Sequence, residues 1–147
     1  MEGERRIAEL VRNQAQAMPS DSRDQVTPVP QKVLLAARKD IWNVYLAPTL
    51  EEYIVQLVVA TRDPAPYSET LKRWVRFGAS PRATIGLERC SRAHAWLEGR
   101  DYVSPEDIQA VAHDVLRHRI LLTFEAEAEG ISSDHVVSEI LNHVAVP

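Results

Sequence analysis

The strongest constraint on the fold is a helical repeat of apolar residues in the stretch 48–62. One face of an α-helix carries residues separated alternately by three positions and one, and this spacing is met by Leu50, Tyr53, Ile54, Leu57, Val58 and Thr61. A helix with one apolar face needs another element to cover that face. Pro48 is typical of a first helical turn, and Asp63-Pro64 ends the pattern.

Further stretches of the chain show the same one-sided pattern, which predicts an all-α fold. Helices are predicted at 2–17, 31–40, 81–98, 104–118 and 132–144, with shorter helices or turns at 68–75 and 125–129. Because most links between them are short, successive helices should fold back on one another as a small helical bundle. The stretch 43–46 fits an extended piece or a loop equally well, and periodicity cannot classify the apolar run 120–124.

The apolar positions within the helices predict the core. In 31–40 and the residue after it, they are Val33, Leu34, Ala37 and Ile41. In 81–98 they are Ala83, Leu87, Cys90, His94 and Leu97. In the last two long helices they are Ile108, Val111, Ala112, Val115, Leu116, Val136, Val137, Ile140, Leu141 and Val144. Cys90 has no obvious base beside it and is interpreted as a small core residue.

A polar stretch at 18–30 divides the chain. It contains three prolines and reads as a loop or linker. We therefore predict an N-terminal part at 1–30, comprising a helix and this linker, and a helical domain at 31–147.

Composition excludes several functional classes. The net charge of −4 argues against a general nucleic-acid binder. An apolar run of about 18 residues is absent, so we expect no transmembrane helix and no membrane partner. The start of the chain does not resemble a signal peptide, and a single cysteine fits a reducing cytoplasm. None of the five glycines belongs to a Gly-rich phosphate loop.

The segment Gly78-Ala79-Ser80-Pro81-Arg82-Ala83 has the composition of an anion site. Ser80 is a good N-cap and Pro81 a good first helical residue, which places Arg82 in the first turn. The helices starting near Thr49, Ser104 and Ser133 have acids there, although the one at Gln31 also lacks them. Free N–H groups beside a guanidinium favour an anion, most often phosphate. An Arg82 side chain that simply reaches solvent has equal weight at this point.

The histidines do not predict a metal site. His113 and His118 are five residues apart and point about 140° away from each other on a helix. His135 and His143 are two turns apart, too far for one ion. With a single cysteine, we expect no metal site.

Other notable side chains have structural interpretations. Arg62 ends a helix, where a cation is favourable, and a structural role is favoured over a nucleotide or subunit contact. His118 and Arg119 are expected to be structural or to contact another subunit. The three tryptophans, which we expect to serve core or inter-domain packing, are Trp42, Trp74 and Trp96.

Five motifs occur in order at characteristic separations. They are Tyr53-Ile54-Val55, Ala60-Thr61-Arg62, the segment 78–83 given above, Gly99-Arg100-Asp101-Tyr102-Val103-Ser104-Pro105-Glu106-Asp107, and His118-Arg119-Ile120. Together they resemble the C-terminal lid of the MoxR family of AAA+ ATPases. The resemblance covers 31–147 well, and 1–30 resembles more loosely the last helix of the α/β ATPase core and its link to the lid.

The resemblance implies a nucleotide role for the segment 78–83. In the complete family subunit, ATP with Mg²⁺ binds between the core and the lid. The sensor-2 arginine, which approaches the γ-phosphate, corresponds to Arg82, with Ser80 and the N–H groups around Ala83 beside it. The core's P-loop, metal-binding and sensor-1 motifs have no counterpart in this sequence. We therefore expect the chain alone neither to hydrolyse ATP nor to bind it tightly.

The resemblance also implies partners. These are the chain's own AAA+ core, a homo-oligomeric ring that is often hexameric, and von Willebrand factor A-domain proteins, in a chaperone-like remodelling activity. An alternative from the residues alone is a stand-alone helical module that docks partner proteins, with Arg82 merely on its surface. A P-loop upstream of Met1 would favour the lid.

Overall fold

The computed structural model describes Arg6 and residues 28–147. The predicted helix at 2–17 and most of the predicted linker lie outside the described residues. The chain divides into two compact units, Met1–Leu34 and Leu35–Pro147.

The described residues form a mostly helical structure, which confirms the all-α prediction. The elements, in chain order, are α1 (Gln31–Asn43), α2 (Pro48–Arg62), α3 (Glu69–Trp74), β1 (Val75–Phe77), α4 (Arg82–Leu97), α5 (Pro105–Leu116), a 3₁₀ turn (Arg117–Arg119), β2 (Leu121–Leu122), α6 (Phe124–Ala128) and α7 (Ser133–His143). The longest elements besides α1 contact one another in a closed order, α2 with α4, α4 with α5, α5 with α7, and α7 with α2. The second unit is therefore a four-helix arrangement with short connecting elements.

The α2 helix supplies much of the core, as its periodicity predicts. All six positions of the predicted face are buried, and Leu57, Val58 and Thr61 are inaccessible to solvent. The side chains that complete this core from the other three helices are Leu87, Ile108, Leu116, Val136, Val137 and Ile140. Burying one such aliphatic side chain contributes roughly 1.5–3 kcal/mol, so the bundle rests on this shared apolar interior.

The buried face of α4 differs from the predicted one. It is a row of residues spaced by four, Ala83, Leu87, Ser91 and Ala95, whereas Cys90 is exposed and Leu97 is 75% exposed. The prediction that Cys90 and Leu97 are core residues was wrong. The prediction, based on apolar positions, did not include Ser91. The Ser91 hydroxyl donates to the Glu88 carbonyl at 3.0 Å, so its burial costs little free energy.

The α1 helix forms as predicted but contributes nothing to the core. None of its residues is buried, and Val33 and Leu34 are 48% and 58% exposed. The core role predicted for this helix was wrong. Periodicity identifies the apolar face of a helix but not whether another element covers it.

Two short extended pieces flank the bundle. Tyr45 pairs with Tyr102 in a single parallel bridge, with Val44 and Leu46 buried on either side, so the extended alternative holds for 44–46, whereas Asn43 is the last residue of α1. The strands β1 and β2 are antiparallel, with Val75 opposite Leu122. The sequence did not predict β1, because three residues are too few to show an alternating pattern.

The turn between α4 and α5 is closed as its sequence predicts. Gly99 has a φ of 74°, and the N–H groups of Gly99 and Arg100 donate to the carbonyls of Trp96 and Ala95 at 3.0 and 2.9 Å. This is the Schellman pattern that glycine favours at a helix end. The Arg100 side chain is thereby directed towards the first turn of α5.

A buried carboxylate, that of Asp107, joins α4 to α5. Both its oxygens accept from the Arg100 guanidinium, at 2.5 and 2.6 Å. It also accepts from the Ser104 N–H at 2.7 Å, which completes the predicted capping box, and lies 2.7 Å from His94 Nδ1. Burial by itself raises the pKa of Asp107, but the hydrogen bonds from these three residues outweigh burial and hold the pKa well below its ordinary range.

Replacing this carboxylate by an amide should destabilise the bundle. We expect Asp107→Asn to lower the free energy of unfolding by about 3 kcal/mol at neutral pH, because Arg100 loses its buried partner. The ionised carboxylate stabilises the fold fully above the unfolded-state pKa of about 3.9, and this contribution is lost as the pH falls below that value. The variant should therefore show a shallower loss of stability below about pH 4.

Urea unfolding followed by circular dichroism across this pH range checks both parts. The matched control is Asp101→Asn, an exposed aspartate in the same turn. Equal stability of the two variants at neutral pH would contradict the role given to Asp107.

Candidate functional site

The segment 78–83, hereafter the 78–83 loop, joins β1 to α4 and is fixed at two points. Ala79 and Ala83 are inaccessible to solvent, whereas Ser80, Pro81 and Arg82 between them are exposed. The loop therefore exposes two of the three predicted site residues, Ser80 and Arg82, whereas the third, Ala83, is buried.

The hydroxyl of Thr61 holds the first of these points. Thr61 Oγ1 accepts from the Ala79 N–H at 2.8 Å and donates to the Val58 carbonyl at 2.7 Å. Sequence reasoning counted Thr61 only as part of an apolar face. The signal for its role was present, since a threonine at a fully buried position needs partners for its hydroxyl.

Gly78 brings the loop directly against the end of α2. A Cβ at this position would lie 2.1 Å from the Thr61 carbonyl oxygen and 2.6 Å from the Arg62 nitrogen. These are backbone atoms and cannot move aside, so only glycine fits here. Two of the sequence motifs, 60–62 and 78–83, are thus parts of one structural contact.

The start of α4 corrects two details of the prediction. The helix begins at Arg82, and Pro81 is the flanking residue in a turn conformation, with φ −55° and ψ −18°. The Ser80 side chain does not cap the helix. Instead, the backbone carbonyl of Ser80 accepts from the Ala83 N–H at 2.8 Å. The Ala83 N–H is therefore engaged in the turn, and Ala83 serves as an anchor of the loop.

Arg82 itself is available to an external partner. Its side chain is exposed, and the first turn of α4 contains no acid. Within 28–147 its guanidinium forms no hydrogen bond or ion pair, whereas Arg92 and Arg100 are paired with Glu88 and Asp107. A free guanidinium at a helix N-terminus favours an anionic ligand.

The remaining candidates have structural surroundings. The guanidinium of Arg119 donates to the Val115 carbonyl and contacts His118, at the end of α5. Arg62 is the last residue of α2 and is exposed. Trp74 is half-buried and its Nε1 donates to Glu129 at 3.2 Å.

The other predictions have mixed outcomes. Trp42 is 52% exposed and belongs to the uncovered helix α1, so the core alternative predicted for it was wrong, while inter-domain packing stays a prediction. Trp96 is half-buried. The part of the chain that the structure describes contains no group of three histidine, cysteine or acidic residues suited to a metal ion. None of the helices in this part is long and apolar enough to cross a membrane.

Comparison with known proteins decides the family. Residues 70–140, from α3 into α7, match the AAA lid domain family. Chaperone MoxR1 of Mycobacterium tuberculosis is 43% identical over 115 residues, which are 78% of this chain and 30% of that protein. The chain belongs to the MoxR family of AAA+ ATPases and contains its lid region.

Other relatives agree with this assignment. Protein MoxR of Methylorubrum extorquens is 45% identical over 80 residues, covering 51% of this chain and 23% of that protein. The crystal structure of a candidate ATPase from Cytophaga hutchinsonii superposes with a TM-score of 0.83 at 42% identity, covering 95% of this chain and 42% of that one. This chain spans about a third of the length of the curated relatives first matched.

Removing the Thr61 hydroxyl should loosen the 78–83 loop. We expect Thr61→Val to lower the free energy of unfolding by about 2 kcal/mol, since the buried Ala79 N–H loses its acceptor. The Ala79 amide should also exchange its hydrogen faster, which NMR measures directly. Thr61→Ser keeps the hydroxyl and should retain slow exchange at Ala79.

The control for this pair is Thr70→Val, an exposed position on α3. If Thr61→Val left the exchange of the Ala79 amide unchanged, the hydroxyl would not be what anchors the loop.

Proposed function

We propose that this chain is the nucleotide-sensing lid of an AAA+ ATPase and that Arg82 contacts the γ-phosphate of ATP bound with Mg²⁺ between lid and core. The observation that carries the proposal is the exposed Arg82 side chain on the anchored 78–83 loop, without an ion-pair partner within 28–147. The P-loop and the metal ligands are assigned to the core, because this sequence contains no Gly-rich phosphate loop.

The chemistry suits a guanidinium. Phosphoryl transfer is accelerated mainly by positioning and by stabilising the charge that develops on the phosphoryl oxygens. Arginine stays ionised and offers several N–H donors in a fixed plane, so it can do both. We assign the exposed Ser80 hydroxyl to the support of Arg82 or the nucleotide, and the buried Ala83 to fixing the start of the helix.

The attachment of the loop turns nucleotide contact into movement of the lid. Gly78 lies against the backbone of α2, and Ala79 is hydrogen-bonded to Thr61 in the same helix. A displacement of Arg82 is therefore transmitted to the buried helices, because the loop is anchored to α2 and does not move independently of it. Closure of lid on core with ATP, and release after hydrolysis, is the coupling we propose.

The complete protein should work as an oligomer. Its proposed partners are its own AAA+ core, further copies in a ring, with six as the expected number, and a von Willebrand factor A-domain protein. The proposed activity is chaperone-like remodelling, and the proposed location is the cytoplasm. The name of the mycobacterial relative, Chaperone MoxR1, supports the chaperone-like part.

Neutralising Arg82 in the complete ATPase should impair hydrolysis. We expect Arg82→Ala to lower kcat by about 100-fold or more, because a charge contact made in the transition state is lost. Steady-state phosphate release, with ATP varied, separates the change in kcat from any change in KM. Arg82→Lys should recover only part of the rate, since a lysine cannot form the paired contact.

The matched control is Arg117→Ala, which removes an exposed arginine whose partners are the exposed Asp114 and Asp134. Such surface pairs contribute at most about 1 kcal/mol. Unchanged turnover in Arg82→Ala, or an equal loss in Arg117→Ala, would exclude the sensor role.

The chain without its core should not turn over ATP. We expect the purified 147-residue chain to release phosphate no faster than buffer, because the groups that hold the β- and γ-phosphates and Mg²⁺ are assigned to the core. A phosphate-release assay at millimolar ATP checks this. Turnover that disappears in Arg82→Ala would show that the chain holds a complete site of its own.

A further inference from the structure

A cluster of three arginines lies between α1 and α4. It lines a pocket of about 210 Å³, formed by Arg38, Ile41, Trp42, Arg89, Arg92 and Ala93. We call this pocket the arginine–tryptophan groove. Residues 38, 41 and 42 lie on one face of α1, and residues 89, 92 and 93 lie on one face of α4, in each case at separations of three and four positions. Each helix therefore forms one wall of the groove.

The indole of Trp42 organises the groove. It is 52% exposed, and the guanidinium carbons of Arg89 and Arg92 lie 5.5 and 5.9 Å from its ring centre. A guanidinium stacked on an aromatic face keeps its N–H donors free at its edge. The stacking therefore holds these side chains in place without using up their donors.

The charges of the three arginines are not equivalent. Arg92 is balanced by Glu88, with Nη2 3.0 Å from its carboxylate, and it also donates to the Val44 carbonyl. Arg38 and Arg89 are exposed, and neither forms an ion pair with any residue in 28–147. In a chain whose net charge is −4, this groove is a local site of uncompensated positive charge.

We propose that the arginine–tryptophan groove binds an acidic peptide segment of a partner protein. Two carboxylates of the segment pair with Arg38 and Arg89, and an apolar side chain between them packs on Ile41, Trp42 and Ala93. Charge complementarity favours an acidic ligand, since carboxylates form paired hydrogen bonds with guanidinium groups. The apolar side of the groove matches a side chain rather than a phosphate.

A nucleic acid fits the groove less well. Binding a phosphate backbone requires an extended basic surface, and the overall negative charge of the chain opposes it. A pocket of about 210 Å³ accommodates one side chain of a peptide. The proposal does not depend on Arg82 or on ATP, so its failure would leave the sensor role untouched.

The test measures binding of a labelled peptide, Glu-Asp-Leu-Asp-Glu, to the 147-residue chain by fluorescence anisotropy. The isosteric peptide Gln-Asn-Leu-Asn-Gln removes the charge and should bind at least about tenfold more weakly. The double variant R38E/R89E should lose at least tenfold in affinity for the acidic peptide. It should also gain affinity for Lys-Lys-Leu-Lys-Lys, which a merely damaged fold would not do.

The control is Arg76→Glu, which reverses the charge of an exposed arginine on β1 that does not line the groove. Circular dichroism confirms that each variant is folded. Equal losses in R38E/R89E and in Arg76→Glu would overturn the proposal, because the attraction would then be non-specific. Failure of the acidic peptide to bind, with or without binding of a single-stranded oligonucleotide or phosphatidylserine vesicles at the groove, would overturn it as well.

Discussion

The hydrogen bond from the Ala79 N–H to the Thr61 hydroxyl is the contact on which the candidate site depends. It is short, 2.8 Å, and fully buried, so competing water is excluded from it. It ties the residue before the exposed part of the loop to the end of the most deeply buried helix. Gly78 lies against the same helix end, so two consecutive residues of the loop are held against α2.

A second group of buried polar contacts fixes the C-terminal end of α4. Asp107 gathers Arg100, Ser104 and His94 around one carboxylate at the far end of that helix. Both ends of α4 are thus fixed by polar groups whose partners are satisfied, while its middle packs through small and apolar side chains. Buried polar contacts of this kind specify one arrangement of the helices, because any other would leave a donor or a charge unpaired.

Sequence reasoning recovered the elements whose signal repeats along the chain. The α2 face, the capping box at Ser104 and the glycine end of α4 follow from periodicity and from local backbone chemistry, and all three are confirmed. The family resemblance, carried by several motifs at once, is confirmed by the comparisons. The contact between 60–62 and 78–83 explains why these two motifs recur together although they are far apart in sequence.

What sequence reasoning missed depends on three-dimensional partners. Cys90 was predicted to be a core residue because it is apolar, but it is exposed. The buried row of α4 includes Ser91 instead, whose hydroxyl donates to the Glu88 carbonyl in the preceding turn. The predicted cap at Ser80 failed because Pro81 adopts a turn conformation that the local sequence does not dictate. The exposure of α1, and hence of Trp42, depends on what covers a helix face, which no local pattern contains.

The uninterrupted course of α4 has a mechanical consequence. Its 16 residues make a rod about 24 Å long, braced along one side by the row from Ala83 to Ala95. Arg82 is its first residue, and Arg89 follows two turns later on the same side. A tilt of the rod by about 5° would displace one end by about 2 Å relative to the other. The two proposed binding surfaces therefore lie on one helix, and a tilt of that helix would move both.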